Sequence, residues 1–87
     1  MAIDLTTNQA FDDYAARFGW VYDNGGLYRG EYWEFYFRKD PNLQLLRQEP
    51  DRIAVVRFGG SSPIEIWSGR VATSDAFDQL MERLSAA

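Results

Sequence analysis

The chain has 87 residues, 46% of them apolar and 16% aromatic, which is too much burial for disorder and too little length for more than one core; one domain over 1–87 is expected. Thirteen acids against nine bases give a net charge of −4, which opposes a primary role on the phosphate backbone of nucleic acid. With no Cys and no His, disulfides, the commonest zinc ligands and the usual base for activating a nucleophile are all missing.

Residues 5–19 carry a helical pattern. Thr6 or Thr7 serves as N-cap, Leu5 is placed to staple the first turn, and Phe11, Tyr14, Ala15 and Phe18 recur at helical spacing before Gly19 stops the run. From Trp20 onward the period changes to two. Asn24-Gly25 is the strongest turn signal, since both residues tolerate positive φ, and it predicts a hairpin joining 20–23 to 26–30. Gly30 then predicts a bulge or break before a strand over 31–38. Glu49-Pro50-Asp51 turns 43–48 back onto 52–58, and the stretch from Gly59 to Pro63 leads into 64–71. The closing segment is a second helix, with Ser74 as cap, Asp75 and Asp78 suited to the helix dipole, and Phe77, Leu80, Met81 and Leu84 as an apolar stripe.

Short links between strands demand antiparallel neighbours, so the expected fold is α+β: an antiparallel β-meander of four or five strands, with the N- and C-terminal helices packed on one face as a two-layer sandwich. Trp33, Phe35 and Phe37 alternate toward one side, which is expected to meet Phe77, Leu80, Met81 and Leu84. Tyr32, Glu34, Tyr36 and Arg38 then stand on the opposite, open side. Arg47 and Arg57 close comparable apolar sets on later strands, and these six residues are the expected partner-binding surface, Tyr and Arg being enriched where proteins recognise one another. Both faces of the strands over 53–58 and 64–71 carry large apolar groups, which calls for cover on both: a second protomer, a partner, or the loop around Asp40-Pro41-Asn42.

Charge is unevenly placed. The segments 4–18 and 75–87 each hold three acids and one Arg, whereas 20–72 balances seven acids with seven bases. The start, Met1-Ala2-Ile3-Asp4, lacks the basic and apolar regions of a signal peptide, and no apolar run approaches the roughly 20 residues of a membrane span. A cytoplasmic protein without membrane contact is expected.

Catalytic and metal chemistry find no support in the residues present. Asp12-Asp13 diverge on a helix, Gly25-Gly26 and Gly59-Gly60 lack the context of a phosphate loop, Ser61-Ser62 have no base, and Glu34 between two tyrosines reads as a cross-strand pair member. No enzyme activity and no cofactor are expected. The expected function is a small protein-interaction domain, an adaptor or a regulator or inhibitor, that recognises a partner protein or a second protomer through the open sheet face. Two alternatives are an acidic antagonist of a basic nucleic-acid-processing enzyme and a stacking platform for single-stranded nucleic acid.

Overall fold

The protein, seen as a computed structural model, is described over residues 2–38, 42–58 and 62–86. Five strands, β1 (Val21–Tyr28), β2 (Glu31–Phe37), β3 (Leu43–Gln48), β4 (Arg52–Arg57) and β5 (Ile64–Arg70), form one antiparallel sheet in sequence order. They lie between α1 (Asn8–Ala16) and α2 (Ser74–Ala86), so the α+β meander with a helix from each end is the observed fold. Among the described residues no helix is long and apolar enough to cross a membrane. The expected turn at 59–61 and cover from residues 40 and 41 lie outside the described residues.

Backbone pairing between the two terminal segments puts both helices on one side. Leu5 N–H donates to the Ala72 carbonyl at 2.8 Å, Ser74 N–H to the Ile3 carbonyl at 2.8 Å, and Ile3 N–H to Ser74 Oγ at 2.8 Å. Thr7 caps α1 by accepting from Ala10 N–H, and Gly19, at φ +87°, ends the helical segment in a conformation that suits glycine. At α2 it is Thr73 that accepts from the Ala76 amide, which leaves Ser74 free to anchor the N-terminal segment instead of capping.

The first hairpin differs from expectation. Asn24 and Gly25 lie within β1, and the reversal is made by Arg29 and Gly30, both at positive φ (53° and 81°), as a two-residue type I′ connection requires. Moving the turn there lets β1 pair with β2 from Val21↔Phe37 to Tyr28↔Glu31, a longer ladder than a turn at Asn24 would allow. The irregularity expected near Gly30 falls instead at Asp23, where the register shifts.

The helices cover the opposite sheet face to the one expected. Phe11 and Ala15 of α1 and Phe77, Leu80 and Met81 of α2 pack on Tyr36, Leu45, Ile53 and Val55. Trp33 and Phe35 belong to a second, smaller cluster with Leu46, Ala54 and Val56 on the reverse side. The reason lies in the central strands: Tyr36, Leu45 and Val55 align in one row, whereas the other parity of β3 carries Gln44 and Gln48. Helices roof the side whose central strands are more apolar, and β2 follows its neighbours.

The reverse side supplies its own cover by curling. In a flat sheet β1 and β5 would stand about 19 Å apart, four strand spacings, beyond the combined reach of a tyrosine and a glutamate. Yet Tyr28 Oη on β1 donates to Glu65 Oε1 on β5 at 3.1 Å. Each edge strand has a register shift, at Asp23 in β1 and at Ile66 in β5, and bulges of this kind increase twist. The second bulge also lets the consecutive residues Ile66 and Trp67 both pack against the helix-side core.

Phe77 lies at the centre of the roof, with ring centroids 5.6 Å from Phe11, 5.7 Å from Tyr14 and 5.3 Å from Phe18. Phe77→Ala should lower unfolding stability by about 3–5 kcal/mol, measured by urea denaturation, whereas Ile64→Ala, at a position 63% exposed, should leave the midpoint nearly unchanged. Equal midpoints for Phe77→Ala and the parent chain would contradict the packing described.

Candidate interaction surface

The six residues expected to form one partner surface are divided by the structure. Arg47 is fully buried beneath α1: its guanidinium donates to the Leu5 carbonyl (3.3 Å), the Pro50 carbonyl (3.2 Å) and Asn8 Oδ1, and lies 4.8 Å from the centre of the Phe11 ring. Tyr36 is buried beside it, edge-on to Phe11, with its hydroxyl donating to Asp12 Oδ1. Arg38 is half-buried and lies over the Trp20 ring at 4.6 Å. Arg57 is exposed but stands at the far end of β4, opposite Ile64 and Leu43. Only Tyr32 and Glu34 remain accessible as neighbours of one another.

Around those two a surface does form, on the stretch of the β1–β2 hairpin that extends past the roof. Leu27 pairs with Tyr32, Gly25 with Glu34 and Tyr22 with Tyr36, which brings Tyr22, Leu27, Tyr32 and Glu34 to one side. Leu27 is 75% exposed, Tyr32 58% and Tyr22 46%. Tyr32 Oη donates to Glu34 Oε1 at 2.9 Å, and Tyr22 lines the same depression as that carboxylate, which raises its phenol pKa. Tyr22 also meets Tyr36 edge-on at 5.5 Å. Beneath the exposed rings is a depression of about 240 Å³ lined by Asn8, Asp12, Tyr22, Glu34 and Tyr36, with two carboxylates and no basic side chain in its wall.

Gly25 has a steric task here rather than a conformational one. A Cβ at that position would lie 1.8 Å from the Tyr32 hydroxyl oxygen, so the absence of a side chain is what lets the Tyr32 ring cross the strand. Tyr22, Leu27 and Asp12 were not foreseen as members of this surface. Their place follows from the Arg29–Gly30 turn and from the side α1 occupies, neither of which is set by the local pattern of β1.

Every tyrosine in the chain has a raised pKa, and each shift involves a carboxylate. Hydrogen bonding to Glu34 is the main cause at Tyr22, pushed up to about 12, and at Tyr32; Asp78 is the main cause at Tyr14. Burial is the main cause at Tyr28 and at Tyr36, followed by the bonds to Glu65 and Asp12. The arrangement holds a carboxylate oriented by a tyrosine hydroxyl beside exposed aromatic rings.

A phenol with a raised folded-state pKa keeps its proton better in the folded chain, so its stabilising contribution is complete below the unfolded value of 10.0 and is lost as pH rises through the folded value. The urea midpoint should therefore fall steeply above about pH 10, while tyrosinate absorbance in the folded protein lags behind that of the denatured chain. Superimposable tyrosinate titrations of folded and denatured protein would contradict these phenol–carboxylate contacts. The chain matches no protein-family model, no curated protein and no solved structure.

Proposed function

We propose that this chain is a non-catalytic protein-interaction domain that recognises a basic segment of a partner protein through the projecting end of its β1–β2 hairpin. The observation that carries this reading is the Glu34 carboxylate, hydrogen-bonded to the exposed Tyr32 and close to the exposed Tyr22, with Leu27 on the same face. An arginine or lysine entering there gains the carboxylate as counter-ion and two aromatic faces for cation–π contact, while its aliphatic stem covers Leu27. Asp12 deepens the negative potential and the net charge of −4 favours approach of a positive partner. The same features disfavour nucleic acid at this surface.

Whereas an acidic antagonist of a basic nucleic-acid-processing enzyme would act through the acids of the two helices, the reading keeps the expectation of a protein-interaction domain and places its contact on the hairpin. It leaves the partner's own activity open and commits only to the chemistry of the contact. Tyr22, Leu27 and Tyr32 are exposed, so their truncation leaves the core intact and separates recognition from folding.

A fluorescein-labelled nona-arginine peptide, followed by polarisation at low salt, is the probe. Binding should weaken about tenfold, roughly 1.4 kcal/mol, in Tyr22→Ala/Tyr32→Ala and in Glu34→Gln, and also with added salt. The exposed helix acids supply the control: Asp75→Asn/Glu82→Gln should change affinity far less. Equal affinity for the parent and the hairpin variants would remove the hairpin from recognition. A solution mass of twice the 10.0 kDa chain, abolished by Tyr32→Ala, would reassign the surface to self-association.

A further inference from the structure

The curled side of the sheet holds a second feature, separate from the hairpin surface and lined by arginines. A pocket of about 460 Å³ lies there, within the size range of small-molecule sites. Three guanidiniums line it, those of Arg29, Arg52 and Arg70, against two carboxylates, Glu31 and Glu65. Each guanidinium has an acid beside it, Arg29 with Glu65 at 3.8 Å, Arg52 with Glu31 at 3.0 Å and Arg70 with Asp51 at 2.7 Å, in surface pairs of the kind that exchange with a competing anion.

Two details within the pocket bear on what it could hold. Arg52 and Arg70 are direct cross-strand partners on β4 and β5, an arrangement that sets like charges opposite one another and costs stability unless something negative lies between. Each is instead neutralised sideways, Arg52 by Glu31 at 3.0 Å and Arg70 by Asp51 at 2.7 Å, in exposed ion pairs that exchange readily. The second detail is Trp33, which lines the same pocket and is only 4% exposed. Among the described residues its indole N–H has no acceptor, and buried donors of this kind are rarely left unmatched. The Arg52 guanidinium lies over the Trp33 ring, 5.0 Å from its centre, so the charged pair and the unmatched donor belong to one place.

We propose that this pocket binds a small ligand bearing a carboxylate or phosphate group, with its oxyanion bridging Arg52 and Arg70 and an acceptor oxygen taking the Trp33 N–H. A planar guanidinium presents paired donors to such a group, and two of them on neighbouring strands grip it from both sides. Arg52 would turn from Glu31 to the ligand, while Ser68 offers a hydroxyl to the remainder of the molecule. The Tyr28–Glu65 bond between the first and last strands holds the curl that gives the site its depth.

The test is calorimetric titration of the full chain with inorganic phosphate, adenosine monophosphate and citrate, with tryptophan emission recorded alongside. Saturable binding of at least one probe is expected, with a dissociation constant at least tenfold higher in Arg70→Ala and in Arg52→Gln and severalfold higher in Trp33→Phe. Preference among the probes separates phosphate from carboxylate recognition. The Arg70 side chain is 74% exposed, so Arg70→Ala preserves the fold and decides the matter even if Trp33→Phe does not fold. Tyr22→Ala/Tyr32→Ala should bind the probes like the parent chain, which keeps this site distinct from the hairpin. No saturable binding of any probe at millimolar concentration, or equal affinity in the parent and Arg70→Ala, would overturn the proposal.

Discussion

A guanidinium without a carboxylate partner holds the roof of this protein to its sheet. Arg47 projects from the central strand into the space under α1, where its donors meet the carbonyls of Leu5 and Pro50 and the amide oxygen of Asn8. Among the described residues no acid lies within ion-pair distance of it. A buried charge is tolerable only where several oriented dipoles replace its lost water, and here they come from the N-terminal segment, the start of α1 and the β3–β4 turn. One side chain therefore ties together three places separate in sequence. The face on which α1 sits, and so the face left for other work, follows from that connection together with the apolar row of Tyr36, Leu45 and Val55.

With the roof fixed on that side, the remaining polar groups form two sets. On the helix side of β1 and β2, Asp12 and Glu34 accept from tyrosine hydroxyls; on the curled side Arg52 and Arg70 face one another, each beside an acid. Tyrosine acts as the common donor. Tyr14, Tyr28 and Tyr36 use their carboxylates to fasten one element to another, whereas Tyr22 and Tyr32 share Glu34 at the surface. The same residue pair thus serves cohesion in one place and display in another, and exposure alone distinguishes the two.

Much of the fold was legible because strong local signals agreed with one another. The apolar stripe of Phe77, Leu80, Met81 and Leu84, the Thr7 cap and the turn at Glu49-Pro50-Asp51 all state local preferences that packing had no cause to override. The first hairpin was misread because Asn-Gly is a stronger isolated turn signal than Arg-Gly. A turn is chosen by the ladder it completes, however, and β2 offered partners all the way to Glu31. The choice of face was misread because β2 was judged by itself, although sheet faces are settled by the central strands. Tyr32, Glu34 and Tyr36 could be grouped from alternation alone. Tyr22, Leu27 and Asp12 could not, since their membership depends on register and helix placement, and a charged residue such as Arg47 gives no local sign that it will be buried.

The pairing of residues 3–5 with 72–74 bears on how the chain reaches this state during synthesis. The bond from Ile3 N–H to Ser74 Oγ joins positions 71 apart, and α2, which supplies Phe77, Leu80 and Met81 to the core, follows it. A growing chain can assemble its meander hairpin by hairpin, since each strand pairs with its predecessor. The apolar side of that sheet nevertheless stays half-roofed until α2 has emerged from the ribosome. The nascent protein consequently passes through a stage with Leu45, Ile53 and Val55 incompletely sheltered, which ends only when α2 packs onto the sheet.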